Sequence, residues 1–434
     1  MISRTTMPSR CLETVSRLCL TPHALLLVST LLYFSPALFG SCEYKRPDGQ
    51  LIEHGFSPEV MWLAAGIVVM LLCVTFATRR SVLHLKTAAS TDAEALVLGF
   101  LLLALGSYVA SSGHVSEAEK SVMLENTNRI HLAFYVLCSV GVLFCVIVGI
   151  RRHCIVFIMS LIGLLFVMYL GHRSATAIAV VGVAYLRFRN APVTSRVVKL
   201  SLCVAPMLFA LLVYKSMYVD IKSGSWSAAS ERLRVENLPV SMRSGFEPFL
   251  TYMQLDFVVS EDFKLECSNL WKIPVSVLPF SDKIIAVFGG DPVACSYHEQ
   301  VKPAFFSGYS GGVGANVWAE FYSLFGAGGV LILLGVLTSF FGLIEAAMRR
   351  IQSPVLLAGL VLALVNFSFY IQRKELFGAF ISAKRGLTIT IIVFVLAWML
   401  RVTLSQGAQR VGSCLKRHRV PVHGADSIDN RPTH

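Results

Sequence analysis

Charged residues are scarce in this chain: 15% of 434, against roughly a quarter in soluble domains. That shortage argues against an ordinary soluble enzyme of two or three domains. There is no CxxC pair and no Cys/His cluster at zinc spacing, so neither a redox pair nor a structural zinc site can be read, and no metal or cofactor is expected. A glycine-rich stretch near Gly311 lacks the Lys-Ser/Thr of a Walker loop, and no strand precedes it as a dinucleotide fingerprint requires. A DxD pair for metal-nucleotide-sugar binding is missing, as is an intramembrane chain of acids of the kind proton-coupled pumps use. No internal repeat and no long low-complexity segment is present.

What fills the chain is apolar: 55% hydrophobic residues and a mean hydropathy of +0.65. About ten runs are long enough to cross a bilayer, which takes ~17–25 residues each. They lie near 22–40, 60–78, 93–111, 131–150, 154–171, 174–187, 197–217, 324–347, 354–371 and 387–404. Backbone groups find no water in lipid, so these runs must be helices. The expected fold is an all-α polytopic membrane protein. Arg4, Arg10 and Arg17 precede the first run as in a signal peptide, but no small-x-small cleavage site with a polar chain behind it follows. The first run is therefore expected to stay as a span.

The net charge of +12 could indicate nucleic acid. Here the bases cluster at the ends of apolar runs, which points instead to membrane anchoring and anionic lipid. Arg79, Arg80, Arg151, Arg152, Arg187, Arg189, Arg349 and Arg350 fall on one side when both termini are placed in the cytoplasm. Residues 1–217 then form a membrane bundle of seven helices, 218–314 one large outer loop with short helices, 315–404 the last three helices, and 405–434 a cytoplasmic disordered tail. A loop of roughly a hundred residues is usually functional. Most cysteines sit in apolar runs, as small hydrophobes. Cys267 and Cys295 lie in the loop and would be able to pair in an oxidising compartment.

Three groups could carry chemistry. The first is Gly171-His172-Arg173-Ser174, at a turn that must sit near the outer boundary because only ~17 residues are left for each flanking helix. Arg173 could snorkel to headgroups. It could equally form an anion site, with Ser174 capping the next helix and its amides adding positive potential. The second is the stretch Gly308 to Gly326, which leads into a helix past Glu320 and Tyr322. Glu320 is either an interfacial acid in an aromatic belt or a partly desolvated general base. The third is Gln372-Arg373-Lys374-Glu375 with Lys384 and Arg385, four bases in what reads as a short outer loop. They form a solvated cluster or meet an anionic ligand. Loop bases Arg232, Arg234, Arg243, Lys264 and Lys272 could guide an anionic or sugar substrate, and loop aromatics could stack on sugars. His298 is a further acid–base candidate.

The turn ending in Arg173-Ser174, the long outer loop, and Glu320-Phe321-Tyr322-Ser323-Leu324-Phe325-Gly326 before Gly328-Gly329 together resemble the O-antigen polymerase family (Wzy, oligosaccharide repeat-unit polymerases). The likeness covers roughly residues 90–400 in layout. It implies a bacterial inner-membrane glycosyltransferase of lipopolysaccharide synthesis. Its substrate would be polyprenyl-diphosphate-linked oligosaccharide on the periplasmic side, with a flippase and a chain-length regulator as partners. In that reading Glu320 and Arg173 are catalytic, and His172, Ser174, Arg243, Arg373, Arg385 and Tyr322 bind substrate. An O-antigen ligase-type enzyme and a polysaccharide or lipid transporter remain open.

Overall fold

The protein's structure is a computed structural model. It describes residues 20–45, 51–78, 91–112, 127–190, 220–234, 248–266, 281–288, 296–306 and 314–417, with scattered positions at 199–218, 275 and 278. Among the described residues, six helices are long and apolar enough to cross a membrane. They are α1 (Pro22–Phe34, extended by a 3-10 turn Ser35–Phe39), α2 (Pro58–Thr78), α3 (Asp92–Ser111), α4 (Arg129–Val148), α12 (Ala327–Arg350) and α14 (Leu376–Arg417). Two shorter apolar helices, α5 (Cys154–Tyr169) and α13 (Pro354–Ser368), and the more polar α6 (Arg173–Phe188) complete the bundle. Short helices α7 (Trp226–Arg232), α8 (Pro248–Ser260), α9 (Ser281–Val287), α10 (Tyr297–Phe305) and α11 (Val317–Phe325) lie between α6 and α12.

Helix α13 is apolar all round, as a helix at the centre of a bundle must be. Leu357, Val361, Leu364 and Phe367 are fully buried, and α13 packs on α14, α4, α1, α6 and α12. At Gly359 an added Cβ would collide with Thr390 of α14; such small residues let helices approach where lipid supplies no hydrophobic drive. The outward faces stay apolar: Phe100, Ile155 and Leu343 are each at least 70% exposed. In water such faces would be aggregation surfaces; against lipid they cost nothing.

Bonds between helix ends sort the bundle into two faces. On one, Glu94 at the start of α3 accepts from Ser353 Oγ (2.9 Å) and Val355 N (3.3 Å) at the start of α13, and pairs with Arg401 of α14 at 3.4 Å. Arg189, ending α6, meets Glu345 near the end of α12 at 2.9 Å, and Leu20 N bonds to Arg189 O. On the opposite face Ser112 after α3 meets His131 of α4, and the loop helices gather. The two are called here the tail face and the loop face. Since Arg189 lies on the tail face, Arg173 at the other end of α6 lies on the loop face.

The described residues are overwhelmingly helical, as the all-α expectation requires, but four details differ. First, strands β1 (Ser41–Lys45) and β2 (Leu51–Gly55) form an antiparallel hairpin. The hairpin is tied down by Asp256 of α8, which meets His54 Nε2 at 2.5 Å and accepts from Ser57 N (2.9 Å) and Oγ (2.6 Å). Burial raises the Asp256 pKa, but these bonds outweigh it and hold the carboxyl below its usual value. Second, the run 324–347 begins inside α11 and breaks at Gly326 (φ +63°). Third, α14 starts at Leu376 and runs to Arg417, so most of the supposed last loop is helix, and the helix passes the boundary at 405. No proline interrupts residues 376–417, and extending an existing helix is far easier than nucleating one. Fourth, α6 begins at Arg173 with His172 as N-cap and no side-chain cap, so Ser174 does not cap it. Gly171 (φ +87°) and the bond from His172 N to Val167 O turn the chain tightly enough for the helix to start earlier. Arg243, Cys267, Cys295, Lys272, residues 307–313 and most of the run 197–217 lie outside the described residues.

Candidate functional site

Helix α11 is short because it is stopped at both ends. Asn316 caps it, accepting from Trp318 N (2.9 Å) and Ala319 N (3.2 Å) while donating to Thr251 O. Gly326 ends it, and Gly329 lets the start of α12 pack against Phe321 O, where a Cβ would collide. The side chains of α11 are thereby locked over the bundle. Trp318 is fully buried and donates to Gln372 Oε1 at 2.8 Å; Gln372 in turn donates to Thr30 Oγ1 of α1.

This places Glu320, 2% exposed, under the start of α14, where its carboxylate accepts from Leu376 N at 2.7 Å. A helix N-terminus suits an anion. Burial nevertheless dominates. It raises the Glu320 pKa to about 8, the Glu375 carboxylate pushes the same way, and the Leu376 bond opposes them. The hydroxyl of Tyr297, wholly buried and close enough to feel the Glu320 charge, has no hydrogen-bond partner; burial, then that charge, drive its pKa well above the usual value.

Bases gather in the turn just before Leu376. The 3-10 turn Tyr370–Arg373 leads to Lys374, whose Nζ donates to Asn366 Oδ1 (3.1 Å) and Ser382 Oγ (2.6 Å) and lies over the Tyr370 ring. Burial, then the charges of Arg385 and Arg373, lower its pKa to about 7. Arg373 also packs against Gly314 (φ +75°), and its carbonyl accepts from Ala315 N. Glu375 accepts from Ser296 Oγ and His298 N at the start of α10.

The sequence-derived residues are thus partly brought together. Glu320 meets the chain at Leu376 N, and the charges of Arg373 and Arg385 meet at Lys374. Arg173 and His172 share their face but belong to the α5–α6 turn: the His172 ring lies tilted against Tyr135 with centroids 4.6 Å apart, and the charge of Arg173 reaches Tyr214 and Tyr218. Ser174 is half-buried in the first turn of α6. Tyr322, half-buried, faces Lys264 at 6.0 Å. His298 bonds Gly314 O through Nδ1 (3.1 Å), which gives it a structural task. Two site residues escaped the sequence reading. Lys374 lies in the basic segment 372–375 but carries no local mark of burial, and nothing in the sequence near Tyr297 signals a partner for Glu320. The letters Gly308-Tyr309-Ser310-Gly311-Gly312 also fit the Gly-x-Ser-x-Gly elbow of serine hydrolases. That elbow joins a strand to a helix, whereas the described neighbours here are α10 and α11. Among the described residues no group of His, Cys, Asp and Glu could hold a metal ion.

Set against family models, curated proteins and solved structures, the chain matches none.

Proposed function

We propose that this chain is a bacterial inner-membrane glycosyltransferase that polymerises polyprenyl-diphosphate-linked repeat units, as the O-antigen polymerases it resembles do. One observation carries the reading: a buried carboxylate whose pKa burial raises to about 8, held on Leu376 N, next along the chain to the turn where the charges of Arg373, Lys374 and Arg385 gather, on the bundle face that also bears Arg173. The chain crosses the membrane about ten times, with the segment 197–217 as the seventh span, both termini in the cytoplasm, and the loop 218–314 in the periplasm. The alternation of helix ends between two faces supports this path.

In the reaction an acceptor sugar hydroxyl attacks the anomeric carbon of the growing chain. The bond from that carbon to the diphosphate oxygen breaks, and polyprenyl diphosphate leaves with the electron pair. Glu320 takes the hydroxyl proton. Arg373 and Arg385, with Arg173 across the face, stabilise the charge that develops on the diphosphate, the largest contribution such a site can make. Glu320 and Tyr297 are closed off in this conformation, so the acceptor reaches them only when α10 and α11 part.

The deciding experiment is a lipopolysaccharide gel from a strain lacking this chain. Collapse of the ladder to core plus one repeat, rescued by wild type and not by Arg173→Ala, is the expected result. An unchanged ladder overturns the reading, and core without any repeat points to a ligase or to export. Lys374, between Arg373 and Arg385, adds its charge to theirs on the diphosphate, so activity should also be bell-shaped in pH, with apparent values near 7 and 8; Glu320 must be ionised while Lys374 stays charged, and that form is a minority species at every pH. Lys374→Arg, which does not titrate, should abolish the alkaline fall. A wild-type profile flat from pH 6 to 9 removes Glu320 as the base.

A further inference from the structure

On the tail face, a cleft of about 390 Å³ opens between the start of α1, the end of α2 and the second half of α12. Thr21, His23, Thr78, Thr338, Phe341 and Glu345 line it. His23 is 5% exposed, its ring edge-on to Phe341 at 5.2 Å, and its Nε2 has no hydrogen-bond partner.

The bonding of Thr78 sets what that nitrogen can do. The Thr78 hydroxyl has one proton, which goes to Val74 O at 2.9 Å, since a carbonyl cannot donate. Its 3.2 Å contact with His23 Nδ1 therefore needs the proton on Nδ1. In the neutral ring Nε2 is then a bare acceptor. Glu345 adds a carboxylate, already shared with Arg189 at 2.9 Å. A cleft whose strong groups accept calls for a ligand that donates, and a cation offers more than a neutral donor.

We infer that this cleft binds the primary ammonium of an aminophospholipid headgroup, phosphoethanolamine in kind. Two placements favour a lipid over a soluble amine. The cleft lies where α1 begins and α2 ends, which the membrane reading of the fold puts at headgroup depth, and most of its wall area is apolar. Arg349 follows Glu345 by one helical turn and is exposed, so a phosphate can sit beside Arg349 while the ammonium sits on Glu345 and His23. A choline headgroup of the same charge cannot donate a hydrogen bond and is excluded by the same chemistry. The inference rests on the membrane reading of the fold and not on glycosyl transfer.

The test uses the full chain purified in detergent and titrated with phosphatidylethanolamine or phosphatidylcholine of identical acyl chains, followed by native mass spectrometry and thermal unfolding. The expected preference for ethanolamine is on the order of tenfold or more, the worth of one charge-assisted hydrogen bond. His23→Phe, which keeps the ring and loses the acceptor, and Glu345→Gln should each reduce that preference to near unity. Equal binding of the two lipids by the wild type overturns the inference, as does a preference that survives in both variants. Free ethanolamine reproducing the full thermal shift would make a soluble amine the ligand of the same cleft; no shift from it assigns the site to lipid.

Discussion

Glu320→Gln is expected to leave the protein folded in the membrane and to reduce polymerisation by about 10²–10⁴-fold, the usual worth of a general base. The substitution separates two roles that alanine would confound. Glutamine keeps an oxygen that can accept from Leu376 N, so the start of α14 stays held. What disappears is the ability to take a proton. Radiolabelled repeat-unit incorporation in membranes, normalised to inserted protein, reads the effect. Wild-type activity in this variant would reduce Glu320 to a helix-end anchor. Stability supplies an independent check. A carboxyl whose folded pKa is raised to about 8 binds its proton more tightly folded than unfolded, so folding weakens as pH rises from the unfolded value, about 4.3, toward 8. Glutamine cannot titrate, and the variant should gain on wild type across that window.

Trp318→Ala is expected to cost about 3–5 kcal/mol, the loss for a large aromatic removed from a packed core. Trp318 is fully buried, and its indole nitrogen closes a chain of bonds through Gln372 to Thr30 and Ser29. Ser29 itself donates to Ser368 O. Removing the indole leaves both a void and an unpaired amide oxygen, so α11 loses its seat and Glu320 its position. Trp318→Phe fills most of the void but not the bond, and should cost about 1–3 kcal/mol. Thermal unfolding in detergent distinguishes the two. A Phe variant as unstable as the Ala variant would mean that packing around the ring, and not the bond to Gln372, fixes α11.

The apolar runs were legible because lipid leaves the backbone one answer, so the spans at 60–78, 93–111 and 131–150 reappear as α2, α3 and α4 with ends shifted by a few residues. Arg173 and Glu320 were legible as candidates because a charge beside an apolar run is costly and invites an explanation. The sequence alone determined helical character, the bundle's span-like helices, the turn at Gly171 and the residue types present. Only the tertiary structure decided which ends meet. The bond from Leu376 to Glu320 and the anchoring of the hairpin by Asp256 join residues distant in the chain, and the burial of Lys374 depends on how the bundle closes over it. Local preference is set by neighbours within a few positions. Burial and pKa are set by whatever the fold brings across, and that cannot be read from spacing along the chain.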